Sequence, residues 1–325
     1  MNREDQINRF FGGRSFNVIA TLVFIVAIIL NMSIGYDVKV ASNGWCLPSC
    51  GLWLNRGGLL SAILNAACII AVGYMLKYFN RLHGFIRANA AISLSIFLLL
   101  EIATPGITSH FYEGTAMLVV TITSAYILFS NYHERISQRS TYLVFALIGF
   151  YAMFQFTALY LVVVFFLGFV QMRVMRLRNF IAMVLGLLTP YWIAYGFGII
   201  TSDSFTLPQI GAALDVQWPQ IATCAISALL TIILMTSNMM HIISYNAKRR
   251  ACNGFFSVLT VFTIVIACID YNNLLIYLPL LNLCLSIQVG HAFTISNNDR
   301  RYIPTAALCL VCIGAYIYNL FFANL

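Results

Sequence analysis

The sequence predicts an all-α polytopic transmembrane helical bundle of about eleven membrane segments, and three observations predict it. Hydrophobic residues make up 61% of the 325 positions and charged residues only 9%, where a soluble domain carries roughly 25% charge. Apolar runs close to the ~20 residues needed to cross a bilayer recur along the whole chain. Lys and Arg cluster in short connections between those runs, as they do in loops kept on the cytoplasmic side. The net charge of +8 is therefore a matter of topology. No basic helical face or aromatic platform suited to nucleic acid accompanies it.

The elements follow in order. Residues 1–15 form a cytoplasmic or interfacial N-terminus, with Phe10 and Phe11 at the interface. This stretch has no cleavable-signal pattern, so the first apolar run is expected to be retained. That run, Phe16 to Ile34, follows Arg3, Arg9 and Arg14, which hold the N-terminus inside. Residues 35–56 are an external loop with Asp37 and the segment WCLPSCGLW. Gly57 to Leu76 returns to Lys77, Arg81 and Arg87. Ala88 to Ala103 stops at Pro105 and Gly106, and the loop TPGITSHFYE, free of Lys and Arg, is external. Gly114 to Asn131 comes back to the basic HERISQR.

The apolar stretch 141–171 decides the rest. It is too long for one crossing and carries Gln155 and Thr157 at its middle, where an amide is costly in hydrocarbon. It is read as a short helical hairpin turning near Gln155, with each arm about 14 residues. Asn179 to Ile200, with Pro190 inside it, then leads to an external loop over 201–219. Gln220 to Ile243 crosses inward to Lys248, Arg249 and Arg250, and Phe255 to Cys268 crosses outward to Asp270. Leu274 to Gly290 returns to Arg300 and Arg301, and Ile303 to Phe322 leaves the C-terminus external. The hairpin keeps all but Lys39 and Arg56 of the 18 Lys and Arg inside; a single crossing would turn every basic residue after Gln171 outward. Residues 1–325 are thus a single integral membrane domain, multi-pass in a bacterial inner (plasma) membrane.

The acids sort the other way. Asp37, Glu101, Glu113, Asp203, Asp215 and Asp270 fall on or near the outer face, with His110 beside Glu113, as do Trp45, Trp53, Trp192 and Trp218. The tryptophans fit an interfacial belt. The acids form a candidate outer-face polar site that could bind a cation, relay protons or supply a general base, or are solvated loop acids. Cys46 and Cys50 flank Pro48 in an external loop, where they could close a small disulfide or remain free thiols. No His or second Cys pair joins them there, so no metal is expected. Cys309 and Cys312 lie in the last apolar run and are read as packing. There is no P-loop, GxGxxG, GxSxG or HExxH, and no cofactor is expected.

Around residues 140–196 the order of a basic loop, the short pair ALIGFYAMFQFTALYLVVVFFLGF, the basic RVMRLR and the run NFIAMVLGLLTPYWIAYGF is similar to the core of GT-C-type membrane glycosyltransferases. The whole chain also looks like an uncharacterised family of bacterial inner-membrane proteins. The GT-C resemblance implies transfer of a sugar from a polyprenyl-phosphate donor for envelope glycans, with Asp37 as the catalytic base. The chain departs from that class in having one acid in its first external loop and no large external domain. Two further classes stay open. One is a non-catalytic membrane subunit that docks a protein partner of an envelope-assembly or secretion complex, and the other a small-solute transporter, for which Glu101 is the nearest intramembrane ionisable group.

Overall fold

The computed structural model describes residues 3–34, 45–48, 50, 58–86, 91–134, 137–201, 204–205, 218–295, 300 and 302–322, and the regular elements among them are all helical. In chain order they are α1 (Arg3–Phe11), α2 (Arg14–Ile34), α3 (Leu59–His83), α4 (Ala91–Ile102), α5 (Pro105–Thr108), α6 (Glu113–Ser130), α7 (Gln138–Ala152), α8 (Tyr160–Gln171), α9 (Leu177–Gly196), α10 (Trp218–Ile242), α11 (Ala247–Ile269), α12 (Leu274–Ile295) and α13 (Tyr302–Phe322). Eight of them are long and apolar enough to cross a membrane: α2, α3, α6, α9, α10, α11, α12 and α13. Between them lie the shorter apolar α4 and α8 and the 15-residue α7. α1 is a short amphipathic helix tied to the α12–α13 connection by Glu4 and Arg300, 3.5 Å apart.

These eleven helices alternate between two ends. At one end Lys248 lies 5.9 Å from the Tyr132 ring, Arg249 packs on Gly84, and Asn253 donates to the carbonyl of Phe85 at 3.0 Å. Every described Lys and Arg belongs to this basic end. Gly84 closes α3 there in the left-handed region (φ 58°), where a side chain would be strained, and its N–H caps Asn80. The other end carries Trp45, Trp192, Trp218 and Asp270, and is called the tryptophan end below.

The stretch 141–171 is a hairpin, as its length and Gln155 predict. α7 ends at Ala152, residues 153–155 turn, and one 3₁₀ turn (Phe156–Leu159) leads into α8. Both outer ends come back to the basic end. His133 N–H bonds the carbonyl of Met172 at 3.3 Å, and Asn179 Nδ2 reaches Ser137 Oγ at 3.0 Å. The two arms barely touch each other: α7 runs parallel to α9 and packs chiefly on it, while α8 packs on α11. The α7–α9 contact is backbone against backbone. A Cβ on Gly149 would stand 2.6 Å from the Leu187 carbonyl oxygen, and one on Gly186 would collide with that of Tyr142. Without a hydrophobic force between helices in lipid, such close approach supplies the packing.

α12 is the axis of the bundle. Its span is 89% buried, against 17% for the peripheral α10 and α13. The apolar stripe of a two-layer helix is absent from it because it is covered on all sides.

The stretch after α4 departs from expectation. TPGITSHFYE reads as an external loop, yet residues 101–110 are all buried. Buried backbone needs partners for its peptide groups, and polar side chains from surrounding helices supply several of them and one for a buried hydroxyl. Asn65 donates to Ile107 O (3.0 Å), Asn319 to Ala103 O (2.7 Å) and Asn31 to Thr108 Oγ1 (2.8 Å), while Ser61 accepts from Phe111 N–H (2.9 Å). One-turn α5, with Pro105 at its start, is thereby inserted between α2, α3 and α13.

Candidate functional site

Glu101 closes α4 just before this buried segment, and its side chain is fully buried. Asn282 of α12 donates to Oε1 at 3.3 Å, and Asn282 Oδ1 accepts from Ser227 of α10 at a further 3.3 Å. Oε2 has no hydrogen-bond partner among the described residues. A carboxylate in an apolar interior is costly unless paired, so a proton or a small cation is the companion this geometry suits.

Glu113 opens α6 and is 2% exposed, with the positive end of the helix dipole beside it. Tyr112 stands between the two acids. Its phenol is held well above its ordinary value, by burial first and then by the charges of Glu101 and Glu113, and its hydroxyl donates to the Leu275 carbonyl at 3.1 Å. Cys50 reaches the same neighbourhood: burial, then Glu113, pushes its thiol up to about 12. His110 is buried beside them, its Nδ1 2.9 Å from Ser109 Oγ.

Asp270, at the end of α11, forms a second cluster. Asn273 Nδ2 donates to both its oxygens at 3.0 and 3.1 Å, and the Tyr277 hydroxyl lies 2.7 Å from Oδ2 and 2.6 Å from Thr157 Oγ1 of the hairpin turn. This carboxylate is fully supplied with donors, and it locks the hairpin to the α11–α12 corner. Glu101 is the acid left half-partnered.

Of the residues expected at the outer face, the structure brings Glu101, His110, Glu113 and Asp270 to the tryptophan end. Asp37, Asp203 and Asp215 lie outside the described residues. Cys46 and Cys50 are free thiols rather than a disulfide. Cys46 is fastened instead to the hairpin turn, its N–H on Met153 O at 3.0 Å, while Trp45 packs on Phe156, Tyr191 and Phe205. No group of three or more His, Cys, Asp or Glu able to hold a metal occurs among the described residues.

Asn282, Tyr277 and His291 are residues that sequence reasoning passed over, and Thr157 was singled out only as a polar break in the hairpin. The available signal was polarity inside α12, where Asn282, Ser286, Gln288 and His291 interrupt an otherwise apolar run. Comparison of the chain with models of protein families, with curated proteins and with solved structures found no match.

Proposed function

We propose that the protein is a proton-coupled membrane carrier of a small polar solute, with Glu101 as the coupling carboxyl. The observation that carries this is a fully buried acid with one unpartnered oxygen, set beside a broken, buried segment between α4 and α6 toward the tryptophan end. Intramembrane ionisable groups mark ion and substrate routes, and broken helices line the sites of carriers. In this reading the basic end and the N-terminus face the cytoplasm of a bacterial plasma membrane and the C-terminus is external, which the clustering of Lys and Arg at that end supports. The half-partnered acid then lies in the external half.

A second reading, GT-C-like handling of a polyprenyl-linked sugar, draws on the short-armed hairpin. It also draws on an apolar crevice of about 250 Å³ between α2, α4 and α13, lined by Val26, Leu30, Leu99, Ile102, Ile313 and Tyr316, which suits a hydrocarbon chain. One preparation tests both. Purified protein in vesicles on a solid-supported membrane is given jumps of amino acids, sugars, organic acids and sugar phosphates across a pH gradient. The carrier reading expects a current for at least one class, lowered 10-fold or more in Glu101→Gln. Currents equal in the two proteins overturn it. Sugar transfer from a polyprenyl-phosphate donor that is lost in Asp37→Asn and kept in Glu101→Gln puts the second reading first.

A further inference from the structure

His291 lies on α12 nine residues beyond Asn282, about 13 Å further toward the basic end at 1.5 Å per residue, and is fully buried. Its Nε2 is 2.8 Å from Asn253 Oδ1 of α11. The proton on that bond is assigned by the next one. Asn253 Nδ2 donates to the Phe85 carbonyl, so the Asn253 oxygen is the accepting atom and His291 Nε2–H the donor. Nδ1 therefore carries a lone pair, and it has no hydrogen-bond partner among the described residues. A buried imidazole with a free basic nitrogen is an unfilled proton acceptor.

α12 thus holds one half-partnered titratable group in each half of the bundle: Glu101 through Asn282 toward the tryptophan end, and its own His291 toward the basic end. Asn282 and His291 lie on opposite faces of the helix, half a turn apart at 100° per residue, so a wire linking the two groups is not implied. The ring of Tyr245, just before α11, has its centroid 6.4 Å from that of His291. On α10 and α11, which pack against α12, the other titratable groups near this end are His241 and Lys248, Arg249, Arg250 and Cys252; Tyr302 opens α13 at the same end, and His83 closes α3 there.

Resting on the carrier reading, we infer that His291 is the proton station of the basic side and Glu101 that of the opposite side, the two loading in turn as the bundle opens to either solution. In each turnover the Glu101 carboxylate takes one proton from the tryptophan-end solution and becomes the neutral acid; once the bundle opens to the basic side, that proton passes through the water then admitted to His291 Nδ1, and the imidazolium releases it to the basic-side solution, restoring the carboxylate and the neutral ring.

The probe is the proton itself. Vesicles holding the intact protein and internal pyranine are given a potassium diffusion potential with valinomycin, and the rate of internal pH change is followed. His291→Gln keeps a side-chain N–H for Asn253 and removes the basic nitrogen, so a purely structural histidine would be replaced without loss. Wild-type vesicles are expected to pass protons several-fold faster than protein-free ones, with Glu101→Gln and His291→Gln each lowering the excess 10-fold or more. Each variant is first required to match the wild-type melting temperature in detergent. Should His291→Gln not, His291→Asn replaces it. Loss in Glu101→Gln with a wild-type rate in His291→Gln overturns the station and leaves the carrier reading standing. Proton flux no faster than in protein-free vesicles overturns the station, and solute currents then decide the carrier reading separately.

Discussion

Cys50 lies close enough to Glu113 to feel its charge, Cys46 packs on the hairpin turn, and the chemistry of both thiols reports on the burial of this end. The Cys50 thiol is pushed up to about 12 by burial and then by Glu113, and that of Cys46 to about 11 by burial. Alkylation goes through the thiolate, and a thiol raised from about 9 to about 11 holds roughly 100-fold less thiolate at pH 8. Iodoacetamide at pH 8 should therefore modify Cys46 about 100-fold more slowly than a peptide thiol, with the rate climbing tenfold per pH unit up to about pH 11. Mass spectrometry of unreduced protein in detergent measures this. Prompt modification at pH 8 contradicts the burial, and a pair that reacts only after reduction would be a disulfide. At this scale the acids were legible, because a carboxylate in a chain with 9% charge stands out. Asn282 and His291 were not. A single polar residue in an apolar run has no periodicity, and the partner that gives Asn282 its meaning lies 181 positions away.

Among the elements, the hairpin was the most legible. Excess length and a central amide forecast a break at Gln155, and the chain turns at 153–155. The burial of α5 was not, since Pro105–Gly106 reads as a surface turn until Asn31, Asn65 and Asn319 arrive from three other helices to take up its polar groups. The α7–α9 contact makes the sharpest stability prediction. Gly149→Leu drives a side chain into the Leu187 carbonyl, and overpacking of this kind costs about 1–3 kcal/mol. Its melting temperature in detergent should fall clearly below that of a Gly196→Leu control, because a Cβ at Gly196 meets nothing within 4 Å. Equal melting of the two would mean that α9 is held by something other than this glycine pair.

For the whole molecule, the testable quantity is which end faces which solution. Asn179 is 2% exposed and silent to any reagent, so the exposed Arg139 and Arg178 flanking the hairpin are better reporters. In a background without reactive cysteines, Arg139→Cys and Arg178→Cys should both be shielded from an impermeant maleimide added to intact cells. Phe197→Cys, 80% exposed at the opposite end, should label. Opposite labelling of the two arginine positions would refute the hairpin topology. The parallel pairing of α7 with α9 also constrains how the chain is made. α7 leaves the ribosome with Arg139 in its first turn and only 15 residues of length, and its covering surface is synthesised after the whole of α8 has followed. During that interval α7 has α6 to pack on, and the face that α9 later covers is left to lipid, the translocon or a chaperone. Assembly of this part of the bundle therefore waits for the synthesis of α9, so nascent chains arrested before Gly196 are the forms a membrane quality-control protease would meet first.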